Sequence, residues 1–135
     1  MDNRFTTPVP TDAELEILQV LWQNGSQTVR FVNDTLNARE PKRDKEVGYT
    51  TTLKFMQLML DKGLLTRNII DRSHIYTTAV PEEQMQTQLV KDFVDAAFRG
   101  SASSLVLRAL GNGETTAEEL AKIKALISQI ESDKM

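Results

Sequence analysis

Residues 49–79 read YTTTLKFMQLMLDKGLLTRNIIDRSHIYTTA, and the period of the pattern changes part-way along. From Tyr49 to Lys62 it is helical: Thr52, Met56 and Met59 share one face, while Thr51, Lys54, Phe55 and Leu58 share another. Gly63 stops the helix, because glycine accepts the left-handed backbone that closes one. Beyond it, Leu65 to Ile70 and Ile75 to Ala79 flank the polar turn Asp71-Arg72-Ser73-His74 and read as a β-hairpin.

Two more helices precede this stretch. Thr11 and Glu14 have the spacing of a capping box, Leu15, Leu18, Leu21 and Trp22 follow at helical intervals, and Asn24-Gly25 ends the run. A second helix starts near Thr28, with Val29, Val32 and Leu36 as its stripe; a charged loop from Arg39 to Glu46, broken by Pro41, leads on to Tyr49. Three short helices and then a hairpin is the order of a winged helix-turn-helix. Tyr49–Lys62 takes the place of the recognition helix and the hairpin that of the wing.

Downstream the pattern is helical again. Pro81 suits a first helical turn, and Met85, Leu89, Phe93 and Ala97 recur every four residues. Gly100-Ser101 breaks the chain, a short helix over about Ser103 to Leu110 follows, and Gly111-Asn112-Gly113 ends it. Thr116 and Glu119 fit a second capping box, ahead of Leu120, Ile123, Ile127 and Ile130. Three such helices make a poor core of their own, and the last stripe is too short for a free coiled coil. The expectation is therefore a mainly α protein with a flexible arm over 1–10, a winged helix over 11–80 and a dimerisation region over 81–135. Leu89, Phe93, Leu105, Leu107, Leu120, Ile123, Ile127 and Ile130 are expected between two copies of the chain.

Bulk properties narrow the function. The 135 residues carry a net charge of −3 and no cysteine, which removes disulfides, thiol chemistry and Cys-based metal sites. Residues 1–80 hold ten Lys/Arg against ten Asp/Glu, and residues 81–135 hold six against nine, so the acidic excess lies wholly in the tail. No apolar run approaches the ~20 residues of a membrane span, and Met1–Pro10 lacks a signal pattern, so the expectation is a cytoplasmic protein without membrane insertion. His74 is the only histidine, and neither a fixed acidic pair nor a Gly-rich phosphate loop accompanies it. No enzyme constellation and no cofactor are expected. Asp71 and His74 alone are too few ligands for a metal.

For DNA the chemistry is better. Tyr49, Thr50 and Thr51 bring hydroxyls and free N–H groups to a helix start, which suits phosphate oxygens. Thr51 suits a thymine methyl and Lys54 the acceptors of guanine. The wing residues Arg67, Arg72 and Ser73 read equally as backbone contacts or as solvated hairpin charge. Arg39, Lys42, Arg43 and Lys45 suit a line of phosphates, or a plain solvated loop, since Glu40, Asp44 and Glu46 are interleaved. Phe31 and Phe55 sit off the main stripes, either as exposed contacts or packed on each other. The even charge of residues 1–80 leaves a protein-docking winged helix as the alternative to a DNA reader. A regulator with a small-molecule pocket and a hydrolase have less in the sequence to support them.

The stretch Thr11-x-x-Glu14-Leu15-Glu16-Ile17-Leu18-x-x-Leu21-Trp22, with Gly25, Thr28-Val29-x-x-Val32, Tyr49-Thr50-Thr51 and Lys62-Gly63-Leu64, resembles the BlaI/MecI penicillinase-repressor family. Phe98-x-Gly100-Ser101 and Ser104-Leu105-Val106-Leu107 extend the likeness over nearly the whole chain. The resemblance implies a dimeric winged-helix repressor on a palindromic operator, with Tyr49, Thr50, Thr51 and Lys54 facing DNA and residues past 81 forming the dimer. It also implies a membrane sensor with a metallopeptidase domain, whose signal leads to cleavage of the repressor in its dimerisation region. Where the best-known members have Asn-Phe directly after Leu-Val-Leu, this chain has Arg108-Ala109, the candidate cleavage bond. An arginine common in the family at the Leu58 position is missing, so no operator sequence carries over. The cysteine cluster of copper-responsive relatives is absent too.

Overall fold

The computed structural model describes residues 8–134. Most of the expected arm, residues 1–7, lies outside them; Pro10, at its end, is buried. Three helices come first: α1 (Asp12–Asn24), α2 (Val29–Ala38) and α3 (Tyr49–Lys62). The capping box at the start of α1 forms as expected. The Thr11 hydroxyl accepts from the Glu14 N–H at 3.2 Å, and the Glu14 carboxylate accepts from the Thr11 N–H at 2.9 Å. Thr28 caps α2 with a single bond, its hydroxyl accepting from the Phe31 N–H at 3.1 Å. Gly25 and Gly63 end α1 and α3 at φ 78° and 86°.

α1 buries Ile17, Leu18, Val20 and Leu21, a wider arc than the stripe read from the sequence, whose Leu15 and Trp22 are only partly covered. The reason is that α2, α3 and the hairpin all close on this helix. Val29, Val32 and Leu36 of α2 and Met56 and Met59 of α3 complete the core with Leu64, Leu65 and Tyr76. Phe55 packs against this core, whereas Phe31 is exposed.

The hairpin consists of β1 (Leu65–Ile70) and β2 (Ser73–Thr78), antiparallel, with Leu65 opposite Thr78 and Ile70 opposite Ser73. Its turn is tighter than expected. Ser73 and His74 belong to β2, and only Asp71 and Arg72 remain in the loop, at φ 50° and 69°. Two consecutive left-handed residues match the right-handed twist of the strands, which is why two-residue hairpin loops adopt this form. Gln27 adds a third edge by exchanging backbone hydrogen bonds with Tyr76 at 2.9 and 3.0 Å. A single bridging residue has no periodicity, so the sequence did not announce it.

The chain divides into two compact units, one up to Leu89 and one from Val90. The boundary expected at 80/81 therefore moves along the chain. Val80 and Met85 are buried in the core of the first unit, and Leu89 packs against it. The Trp22 indole N–H donates to the Val80 carbonyl at 3.0 Å and fixes the entry into α4 (Glu82–Ala97).

In the second unit Val94 is buried, and Phe93 and Phe98 meet edge to face at 5.9 Å between centroids. The chain turns at Arg99 and Gly100, both at positive φ. It then enters α5 (Ala102–Gly111), where Ser101 accepts from the Ser104 N–H at 3.2 Å. Thr116 and Glu119 form the second capping box, at 3.1 and 3.0 Å, ahead of α6 (Ala117–Asp133). None of the residues of α5 or α6 is buried.

Candidate nucleic-acid interface

Two asparagines of α2 set where α3 begins. The buried Asn33 donates to the Val47 carbonyl at 3.0 Å and to the Thr52 hydroxyl at 2.8 Å. Asn37, four residues on, grips the same backbone from both sides: it donates to the Val47 carbonyl at 2.9 Å and accepts the Val47 N–H at 2.8 Å. A buried polar side chain with all its partners fixes geometry more sharply than apolar packing does. Gly48 then takes the N-cap position with no side chain to cap the helix, so the first N–H groups of α3 stay open to an outside acceptor.

Thr50, Thr51, Lys54, Gln57 and Leu58 form the exposed arc of α3, opposite the buried Thr52, Met56 and Met59. The structure thus brings Thr50, Thr51 and Lys54 together on one outward face. Tyr49, the first residue of the helix, is placed differently: its ring lies beneath the Arg30 guanidinium, 4.2 Å from the ring centroid. Arg67 and Arg72 are exposed on the wing, and Arg67 pairs across the hairpin with Tyr76.

The loop before α3 splits its charges. Arg43 forms an ion pair with Glu16 of α1, and Arg39 reaches Gln19 and Gln23 of the same helix at 3.3 and 3.5 Å. Lys42 and Lys45 stay exposed.

Of the residues expected between two chains, Leu89 contributes to the first unit instead. Leu105 and Ile123 are half-buried, whereas Phe93, Leu107, Leu120, Ile127 and Ile130 are exposed, Leu107 to 72%. Arg108 and Ala109 lie within α5 and are exposed.

A family model described as penicillinase repressor matches residues 10–129. The chain belongs to the penicillinase repressor family. Among its relatives, the penicillinase repressor of Bacillus licheniformis is 25% identical over 126 residues, covering 90% of this chain and 91% of that one. The transcriptional regulator BlaI of Mycobacterium tuberculosis is 27% identical over 121 residues, 84% of each chain. The methicillin resistance regulatory protein MecI of Staphylococcus aureus is 19% identical over 129 residues, 96% of this chain and 99% of that one. These names describe repressors and regulators of expression; none describes an enzyme.

Two features of this penicillinase-repressor chain were not read from the sequence. Glu14 is 2% exposed, and both of its oxygens accept from the Lys62 ammonium, at 2.8 and 2.9 Å. Burial pushes the Glu14 carboxyl up, but the Lys62 and Thr11 hydrogen bonds together with the Lys62 charge outweigh it, and the group titrates below its ordinary value. The pair ties the start of α1 to the end of α3. The other feature is Arg30, which only its neighbours in space distinguish from any other surface arginine. Among the described residues no helix is long and apolar enough to cross a membrane.

Proposed function

We propose that this penicillinase-repressor family member represses transcription by binding a palindromic operator as a homodimer. The observation that carries the reading is α3 itself: an uncapped helix start with Thr50, Thr51 and Lys54 on one exposed face, and a wing that brings two further arginines. Polar groups on such a helix suit base edges in the major groove, and the wing suits the flanking backbone.

Dimerisation supplies the affinity. One winged helix reads few base pairs. Tethering two makes the second contact intramolecular and raises avidity by roughly 10²–10⁴. The apolar surface around Phe93, Leu107, Leu120, Ile127 and Ile130 is the part of the chain that a second copy covers. Relief of repression follows from loss of that tether. Cleavage at Arg108-Ala109, after a signal from a membrane sensor metallopeptidase, separates α6 from the rest. The bond lies within a helix, and a protease needs extended chain, so α5 opens first; with no buried residue it is poised to do so. The whole cycle places the protein in the cytoplasm.

The charge balance of residues 1–80 keeps a second reading in play, a winged helix that docks on protein. Titration of a duplex selected from a random pool, at several salt concentrations, separates the two. The DNA reading expects log affinity to fall with log salt at about 0.9 per phosphate contact. It also expects a footprint with half-sites about 10 base pairs apart, or a multiple of that. Affinity that ignores salt, or a lone asymmetric half-site, counts against it.

A further inference from the structure

We propose that Arg30 is a backbone-phosphate contact, held in place by the Tyr49 ring, and that it converges with Arg67 and Arg72 on one seat for a DNA phosphate. The assignment rests on the DNA-binding reading above and adds to it a residue that belongs to neither the recognition helix nor the wing.

The first turn of α2, the first turn of α3 and the wing enclose a cleft of about 420 Å³. Arg30, Tyr49, Gln57, Arg67, Arg72 and His74 contribute to its lining, and no carboxylate does. Three arginines line this one open cleft, so their like charges repel, and an anion settled among them offsets that cost. None of the three has an ion pair or a hydrogen bond among the described residues. The contrast with Arg43, which is paired to Glu16, is direct. The arginines of the loop are turned to α1, whereas those of the cleft have no carboxylate in its lining to pair with.

Arg30 is also pre-positioned. Its guanidinium carbon stands 4.2 Å from the Tyr49 centroid, inside the ~6 Å over which a ring face attracts a cation. Stacking engages the flat face of the guanidinium and leaves its edge N–H groups to form a two-pronged contact with phosphate oxygens. The occupant is argued from the walls. The cleft adjoins the exposed face of α3 on one side and the wing on the other, so a duplex that meets both surfaces runs its backbone across the cleft. On this account Tyr49 is a positioning residue: its ring matters and its hydroxyl does not.

The test uses the full chain and two duplexes of equal length, one selected from a random pool and one unrelated. Arg30→Ala should weaken both by roughly tenfold and reduce the salt slope by about 0.9 per protomer. Arg30→Lys should keep the slope and recover only part of the affinity, since an ammonium lacks the planar fork. Tyr49→Ala should lose part of the affinity that Arg30→Ala loses, Tyr49→Phe should restore most of that loss because it keeps the ring, and Arg30→Ala with Tyr49→Ala should be no weaker than Arg30→Ala alone. Because Arg30 is exposed, thermal melting should not move. An unchanged salt slope in Arg30→Ala, or effects of the two positions that simply add, overturns the proposal. So does inorganic phosphate that raises the melting temperature through Arg30 while duplex binding ignores Arg30, since the seat then serves a free anion. If the unsubstituted chain itself shows no salt-dependent duplex binding, the DNA reading has failed. If it binds and Arg30→Ala matches it, only the Arg30 assignment falls.

Discussion

The chain up to Leu89 and the chain from Val90 are both built largely from amphipathic helices, yet they treat their apolar side chains in opposite ways. In the first, α1 lies among α2, α3, the hairpin and the start of α4, and Ile17, Leu18, Met56, Met59 and Met85 lose essentially all contact with water. In the second, Val94 is buried, but Phe93 is 56% exposed and no residue of α5 or α6 is fully buried. Local signals make helices equally well in both. Burial needs elements on several sides, and some 45 residues in three pieces supply too few. The first region encloses a core of its own, whereas the second leaves most of its apolar side chains open to water.

The largest effect expected from this contrast follows a pair of charges placed on that surface. Leu107→Asp with Ile127→Asp should leave the protomer folded, since both positions are exposed in it. It should give a monomer by sedimentation and cost roughly 10²–10⁴ in operator affinity. A variant that stays dimeric and binds fully would break the comparison. Next comes the boundary between the regions. Met85→Ala should lower the unfolding free energy of the winged-helix unit by about 2–5 kcal/mol, measured in urea, because Met85 is wholly enclosed in its core. No change would return the start of α4 to the tail.

A third test looks outward from the first region. Lys54→Ala should cost about 1–3 kcal/mol at one operator position if Lys54 reads a base. An equal loss on every duplex would make it a phosphate contact. The smallest effect concerns the Glu14–Lys62 pair. Lys62→Met should destabilise by about 1–2 kcal/mol at neutral pH, because Glu14 keeps its Thr11 partner but loses its countercharge. The folded-state pKa of Glu14 is depressed. The stability it contributes is therefore present above the ordinary glutamate pKa and is lost as pH falls through the folded value. Without Lys62, the hydrogen bond and the charge that offset burial are gone, and the Glu14 carboxyl titrates higher than in the unsubstituted chain. The variant should then lose less on acidification than the unsubstituted chain, and parallel acid-denaturation curves for the two would contradict the pair's role.

Much of the architecture was legible because the interactions that set it are short. Thr11 with Glu14 and Thr116 with Glu119 span a single turn, and both boxes form as read. Gly25 and Gly63 mark stops that depend on one residue's own backbone freedom. The change from period 3.6 to period 2 after Gly63 separates α3 from the hairpin in the sequence alone. At the candidate interface, the outward placing of Thr50, Thr51 and Lys54 follows from helix geometry, since one face of α3 must go inward with Met56 and Met59.

What only the tertiary structure decided depends on residues far apart along the chain. Glu14 finds Lys62 across 48 positions, Trp22 finds Val80 across 58, and Arg43 turns to Glu16 across 27. Arg30 and Tyr49 likewise meet only because the asparagines of α2 pin the start of α3. The sequence contains many lysines, arginines and carboxylates with nothing local to select among them. Helices, stops and caps are decided within a turn of the chain, whereas partners are decided by which surfaces the packed core brings face to face.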